Sequence, residues 1–414
     1  MSVMQIFSRI RCRTVLGKRH HPSGCEQVVV GSHLKFSDYV TRTREIFHDV
    51  YSKIAIDTLE QAVNGNAPFE LKPSAALSSG SSKAYHRGIL LTHGLSDSPY
   101  LMRHLAAFFQ EKGFRVMAVC LPGHGTQPGD LLDVSWQEWA KVVAYGVDCL
   151  AEEVEDIYLG GFSSGGTLSI YQSLRDKRVN GLFLFSPAIR ITPWAALAKF
   201  HKLFSWLIPN GEWLSIKPDR DIFKYESFPI NAAAQIYALT REVKKLLLKQ
   251  KMDIPVFVAC SEDDITVDTS ATLDFVARAN HHNNKVVLYT TNVENALVAN
   301  TDIAQIKREL FSARKLEMVN SVFLEQRILS SSHTSIALPE SDAHYGASGS
   351  YINCSHYYPN NLEKYSACND NNKVCYQGEL TSKNLKFGVL RRLTYNPNYP
   401  ELLYSMKQFI DRLP

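Results

Sequence analysis

Ser163 stands in the pentapeptide Gly161-Phe-Ser-Ser-Gly165, directly after the apolar run Ile157-Tyr-Leu-Gly-Gly and ahead of a helix-compatible stretch. A serine with glycines two residues to either side fits a tight strand-to-helix turn, because only glycine lets the strand and the helix pass so closely. Such a turn pushes the hydroxyl out towards a substrate, which makes Ser163 a candidate nucleophile. Ser164 would open the helix, so its backbone N–H is free to bind an oxyanion. Matches of this length also occur by chance in serine- and glycine-rich loops, so the surroundings must carry weight. Upstream, Gly88-Ile-Leu-Leu-Thr-His93-Gly94-Leu95 is a short apolar run ending in His-Gly, which reads as a buried strand opening into a loop. Gly94 lets that loop turn sharply and exposes the Leu95 N–H as a second oxyanion donor. His93 precedes the serine and reads as a brace for the loop.

These groups need rigid elements to hold them. Residues 100–110 have a helical pattern closed by Gly113, and Arg115-Val-Met-Ala-Val-Cys-Leu follows as a second buried strand running into Pro122-Gly-His-Gly125. Ser135-Trp-Gln-Glu138 matches a capping box and starts an apolar-periodic helix that runs towards Glu152. The strand carrying Ser163 comes next. Alternation of this kind predicts a mostly parallel sheet covered by helices on both faces, with the active site at the carboxyl ends of its strands.

His93-Gly94, Leu121-Pro-Gly-His-Gly125 and Gly161-Phe-Ser-Ser-Gly165, in that order and spacing, resemble the α/β-hydrolase superfamily. Within it the chain is most similar to the carboxylesterase, monoacylglycerol lipase and serine aminopeptidase branch. The resemblance covers residues 87–187 and resumes near Ile254, leaving the first eighty or so residues and those after Pro339 outside it. It implies an α/β-hydrolase fold with a helical cap insertion and a serine, an acid and a histidine in that chain order. The chemical reason is that a serine hydroxyl near neutral pH needs a histidine to take its proton and a carboxylate to orient that histidine. Residues 254–260 read as a strand leading into Ser261-Glu-Asp-Asp264-Ile-Thr-Val267. This resembles the family's acid loop, in which the aspartate stands three residues before a valine, and so implies Asp264. The family usually has glycine where Ser261 stands, and Glu262, Asp263 and Asp268 are neighbours able to take its place. For the base, Arg327-Ile-Leu-Ser-Ser-Ser-His333-Thr is a short strand-like run breaking into a loop, and it resembles the Ser-His-Thr motif of related hydrolases. His344 is the alternative, whereas His281 and His282 lie in a polar turn before the strand 285–289.

The chain has 414 residues, 45% of them hydrophobic, enough to bury a large core. The division expected is an N-terminal extension over 1–80 with a long helix over 37–63 capped by Ser37, then a catalytic domain over 81–414. That domain would carry a cap insertion over 190–250 and a loop-rich insertion over 339–398, with a closing helix at the sheet edge. Within the cap, Thr192-Pro193 suits a helix start, and Leu197, Phe200 and Phe204 share an apolar face suited to an acyl chain. The net charge of +4 does not argue for nucleic acid as a partner. Neither a dinucleotide fingerprint nor zinc-ligand spacing occurs, so no cofactor and no metal are expected. Arginines interrupt the first apolar segment before it could serve as a signal peptide, and no apolar run reaches membrane-spanning length. A soluble, cytoplasmic protein is therefore expected. One exception is the basic N-terminus, where Val3, Ile6, Phe7 and Ile10 at helical spacing among arginines could make a peripheral membrane contact or simply a frayed tail. Of the eight cysteines, Cys120, Cys149 and Cys260 read as free core thiols, and Cys354, Cys368 and Cys375 would allow one disulfide in an exported protein. The function expected is cofactor-independent hydrolysis of small-molecule or lipid-like carboxylic esters through an acyl-enzyme. An amidase or aminopeptidase would use the same residues, and a catalytically silent binding scaffold is the reading from another class. Oligomeric state is left open.

Overall fold

The computed structural model describes residues 16–54, 58–74, 82–191, 210–294, 296–298 and 301–413. The strands are β1 (Phe69–Leu71), β2 (Tyr85–Thr92), β3 (Phe114–Val119), β4 (Val154–Phe162), β5 (Val179–Phe185), β6 (Trp213–Ser215), β7 (Phe228–Pro229), β8 (Val256–Ser261), β9 (Lys285–Thr290), β10 (Leu316–Asn320), β11 (Tyr376–Gly378) and β12 (Leu390–Arg392). Eight of them form one sheet in the order β1-β3-β2-β4-β5-β8-β9-β10, with β1 antiparallel to β3 and the neighbours from β3 onwards parallel.

The strands are apolar on both faces because helices cover both. Leu90, Leu159, Leu182, Leu184, Val258 and Leu288 point to one side, where they pack with the helices Trp136–Glu153, Ser164–Ser173 and Ile230–Lys249. The residues between them, Ile89, Leu91, Tyr158, Phe183, Phe185, Phe257 and Tyr289, point to the other side, against the helices Arg103–Glu111 and Tyr399–Ile410. Each such side chain, fully buried, contributes about 1.5–3 kcal/mol. A one-residue slip would exchange the two faces, so register is strongly specified. Ser135 does cap the helix Trp136–Glu153: its hydroxyl accepts the Glu138 N–H and the Glu138 carboxylate accepts the Ser135 N–H at 2.8 Å. That fixes where the chain turns back towards β4.

Several expectations need correction. Residues 37–63 do not form one long helix; the helices are Phe36–Ile54 and Leu59–Asn66, and Ser37 lies inside the first. Thr58 sits at φ −108°, ψ 42°, outside helical geometry, and is the N-cap of the second helix. The first helix docks beneath the loops after β3, where the Tyr39 hydroxyl donates to the Cys120 carbonyl at 2.9 Å and Tyr51 donates to Gly125. Residues 327–332 form isolated bridges, Phe323 to Ile328 and Ile328 to Gln377, and no strand. The closing helix lies over the sheet face, not its edge, with the Phe409 ring 5.2 Å from Phe183 and 5.6 Å from Phe257. The stretch 339–398 is more ordered than a loop: it holds the helix Leu362–Asn369, the parallel pair β11–β12 and a Cys354–Cys368 disulfide, with Cys375 free. Disulfides belong mainly to oxidising compartments, so the cysteines no longer speak for the cytoplasm. No helix among the described residues is long and apolar enough to cross a membrane.

Candidate active site

Ser163 follows β4 directly, at φ 51° and ψ −115°, a conformation that costs a non-glycine residue about 1–3 kcal/mol. The surroundings enforce it. A Cβ on Gly161 would overlap the backbone of Gly165, and one on Gly165 would overlap the carbonyls of Thr92 and His93, so the turn can close only with glycine at both places. The Ser163 N–H donates to Phe185 O at 2.9 Å, which ties the turn to β5. Ser164 is the first residue of the helix that follows, and its N–H has no intrahelical acceptor. The Leu95 N–H also has no acceptor among the described residues. Beneath that loop, His93 bonds the Gly94 carbonyl through Nδ1 at 2.8 Å and accepts the Leu121 N–H at Nε2 at 3.0 Å. Burial pushes its imidazole down to about 4, so it is a neutral link between the loops after β2 and β3.

The loop after β8 carries Asp264, and a one-turn helix, His333–Ser335, carries His333 beyond β10. His333 Nε2 lies 3.0 Å from Ser163 Oγ, and His333 Nδ1 lies 2.6 Å from Asp264 Oδ2. The Asp264 side chain is fully buried, and its other oxygen accepts the N–H groups of Thr266 at 2.7 Å and Val267 at 3.1 Å. Burial alone would raise its carboxyl, but His333 and those amides outweigh burial and hold it below the usual carboxylate range. The ring of Phe162 packs 5.1 Å from that of His333.

Two of the three neighbouring carboxylates are engaged elsewhere. Glu262 pairs with Lys307 and accepts the Thr290 hydroxyl at 2.6 Å. Asp268 caps the helix Thr269–Arg278 and pairs with Arg190. Asp263 makes no contact with His333, and its carboxyl is pushed up to about 6 by burial and by Glu262. His344 is also occupied: its Nε2 lies 3.0 Å from Asp221 Oδ1 and its Nδ1 lies 2.8 Å from Ser350 Oγ. Leu197, Phe200 and Phe204 lie outside the described residues, as does the N-terminal run from Val3 to Ile10. No group of three or more His, Cys, Asp and Glu side chains able to hold a metal occurs among the described residues.

Sequence reasoning missed Glu379. This fully buried carboxylate accepts the backbone N–H of His333 at 2.9 Å. It follows β11, in the stretch that no motif covers, and a single glutamate among tyrosines and asparagines offers no signal.

The pattern of serine, acid and histidine at the carboxyl ends of a parallel sheet has counterparts. The family model for serine aminopeptidase, S33, matches residues 84–292, just over half of the chain. The protein belongs to the serine aminopeptidase S33 family. Within that family of α/β-hydrolases it is similar to a thermostable monoacylglycerol lipase from Bacillus sp. (strain H-257), 29% identical over 181 residues that span 44% of this chain and 71% of the relative. It is 32% identical over 89 residues to a carboxylesterase from Bacillus subtilis (strain 168), spanning 21% of this chain and 36% of that protein, about a third of the relative's length. Among solved structures, one of the metagenome-derived lipolytic enzymes LipS and LipT matches with a TM-score of 0.45 at 22% identity, covering 61% of this chain and 98% of the other. As a member of the S33 family the protein is a serine hydrolase. Its family match ends at residue 292, just after β9, so β10 and His333 both lie beyond it.

Proposed function

We propose that this S33-family protein hydrolyses carboxylic esters with an apolar acyl group, without a cofactor, through an acyl-enzyme on Ser163. The observation that carries the reading is His333, bonded to Ser163 through one ring nitrogen and to Asp264 through the other. With the Nδ1 proton donated to Asp264, Nε2 is left to accept the Ser163 proton as Oγ attacks the ester carbonyl. The carbonyl oxygen becomes an oxyanion, and the N–H groups of Leu95 and Ser164 receive it. Collapse of the tetrahedral adduct expels the alcohol, which takes the proton from His333. Water then repeats the cycle in reverse: His333 removes its proton as the water oxygen attacks the acyl carbonyl, the acyl–serine bond breaks, Ser163 Oγ takes the proton back from His333, and the carboxylic acid leaves. Asp264, held ionised, stabilises the imidazolium at both steps.

Relatives named monoacylglycerol lipase and carboxylesterase support an ester, and the apolar residues Leu197, Phe200 and Phe204 of the cap support an acyl chain. Amide cleavage is the second reading, favoured by the family's description as a serine aminopeptidase. Parallel assays with esters of graded acyl length and with aminoacyl amides decide between them. The ester reading predicts turnover of the esters that depends on chain length and none of the amides; the reverse pattern refutes it.

A further inference from the structure

His333 has no strand of its own to hold it. It stands in a one-turn helix at the end of a loop, yet its ring must meet Ser163 on one side and Asp264 on the other. The loop is held instead from the far end of the chain. Ser330 Oγ accepts the Glu379 N–H at 3.0 Å, Thr334 donates to the Leu393 carbonyl at 3.0 Å, and the His333 N–H donates to Glu379 Oε2 at 2.9 Å.

Glu379 is fully buried, and its charge is met by Arg392, whose Nη2 lies 3.0 Å from the same carboxylate oxygen. Arg392 Nη2 also donates to Thr266 Oγ1 at 2.7 Å, and Thr266 donates its N–H to Asp264. Asp264, Thr266, Arg392, Glu379 and His333 thus close a ring of hydrogen bonds that joins the acid loop to the base loop. Several of its links are charge-assisted, and such bonds are roughly twice as strong as neutral ones. We infer that Glu379, held by Arg392, is a positioning residue that sets His333 between Ser163 and Asp264. The inference rests on the catalytic roles proposed above, and through it the insertion over 339–398 becomes the support on which the base stands.

Two variants of the full-length protein separate positioning from mere support. Glu379→Asp keeps the charge for Arg392 but withdraws the carboxylate from the His333 N–H by one methylene. Glu379→Gln keeps an acceptor oxygen at full reach but leaves Arg392 without its counter-charge. The readouts are thermal midpoint, kcat and KM on a short p-nitrophenyl ester, and the rate of labelling by a fluorophosphonate. Glu379→Asp should remain close to wild type in thermal midpoint yet lose about 10- to 100-fold in kcat, the scale expected for a slip of about 1 Å, with KM little changed. Glu379→Gln should be less stable and yet turn over faster than Glu379→Asp. Labelling rates should follow kcat. In a His333→Ala background, Glu379→Asp should slow the residual labelling no further.

If kcat instead follows stability, with Glu379→Gln the slower variant, Glu379 is only structural and the inference fails. Equal slowing with and without His333 overturns it too. Ser163→Ala keeps the two claims apart. Loss of labelling in that variant, with Glu379→Asp at the wild-type rate, leaves the nucleophile standing and sinks the positioning role. Undiminished labelling of Ser163→Ala sinks the triad, and this inference with it.

Discussion

Both ring nitrogens of His333 are committed, one to Ser163 and one to Asp264, so removing the ring removes the base and separates the other two groups. On the proposed mechanism, His333→Ala should lower kcat by about ten-thousand-fold, the scale for losing a member of such a unit. His344→Ala should leave kcat nearly unchanged, because that ring serves Asp221 and Ser350; a reversed pattern in steady-state assays would make His344 the base. Asp264→Asn should also cost about ten-thousand-fold, by leaving the imidazole in the wrong tautomer. Asp264 carries a pH dependence of stability as well. Its folded carboxyl titrates below the ordinary value of 3.8, so its contribution is present at neutral pH, where the unfolded chain is also ionised. That contribution is lost as the pH falls below 3.8 through the lower folded value. Thermal midpoints measured through this acid range should therefore fall less steeply for Asp264→Asn than for wild type.

The turn at Ser163 is an element held by an absence of side chains, and Gly165→Ala tests it. The added methyl would meet the carbonyls of Thr92 and His93, which are backbone of β2 and its loop and cannot swing aside. Denaturant unfolding should show a loss of about 3 kcal/mol or more, the upper range for overpacking, with labelling of the folded fraction impaired. The cap insertion proposed over 190–250 makes a different prediction. Replacing Phe200 and Phe204 by serine should shift preference towards shorter acyl groups, each lost apolar contact being worth about 1–3 kcal/mol of discrimination. Equal loss over all chain lengths would show that this face only packs. Much of the central sheet was legible in the sequence because β2, β3, β4, β5 and β8 are continuous apolar runs with glycine punctuation, and the capping box at Ser135 is a local signal. What failed was less local. Residues 37–63 kept an apolar period across the break near Thr58, because periodicity reports which side is buried and not whether the backbone continues. The three-residue β1 carries too few side chains to show alternation.

At the scale of the molecule, segments from both sides in the sequence close around residues 219–227. From the N-terminal side, His20 bonds Ser227 at 3.0 Å and Arg19 donates to the Asp219 carbonyl at 2.6 Å. From the C-terminal side, His344 and Tyr345 bond Asp221, and Tyr351 donates to Glu226 at 2.7 Å. None of this could be read from the chain, because every one of these pairs spans more than a hundred residues and leaves no mark on local spacing. The Cys354–Cys368 disulfide ties together part of the stretch 339–398, and the Cys368 carbonyl accepts the guanidinium of Arg391 in β12. Closing a loop of this length is worth about 3 kcal/mol through the entropy of the unfolded chain. Cys354→Ser should lose stability of that order under oxidising conditions and become insensitive to a reductant, whereas the wild type should lose the same amount when reduced. Guanidinium melts with and without reductant check this.

The proposed chemistry turns on Ser163 as the nucleophile. The most direct measurement is fluorophosphonate labelling of the folded wild-type protein, with the modified peptide located by mass spectrometry and Ser163→Ala run alongside. A single phosphonyl adduct on Ser163 and no labelling of the variant are expected. An adduct on another residue, or undiminished labelling of Ser163→Ala, would contradict the assignment.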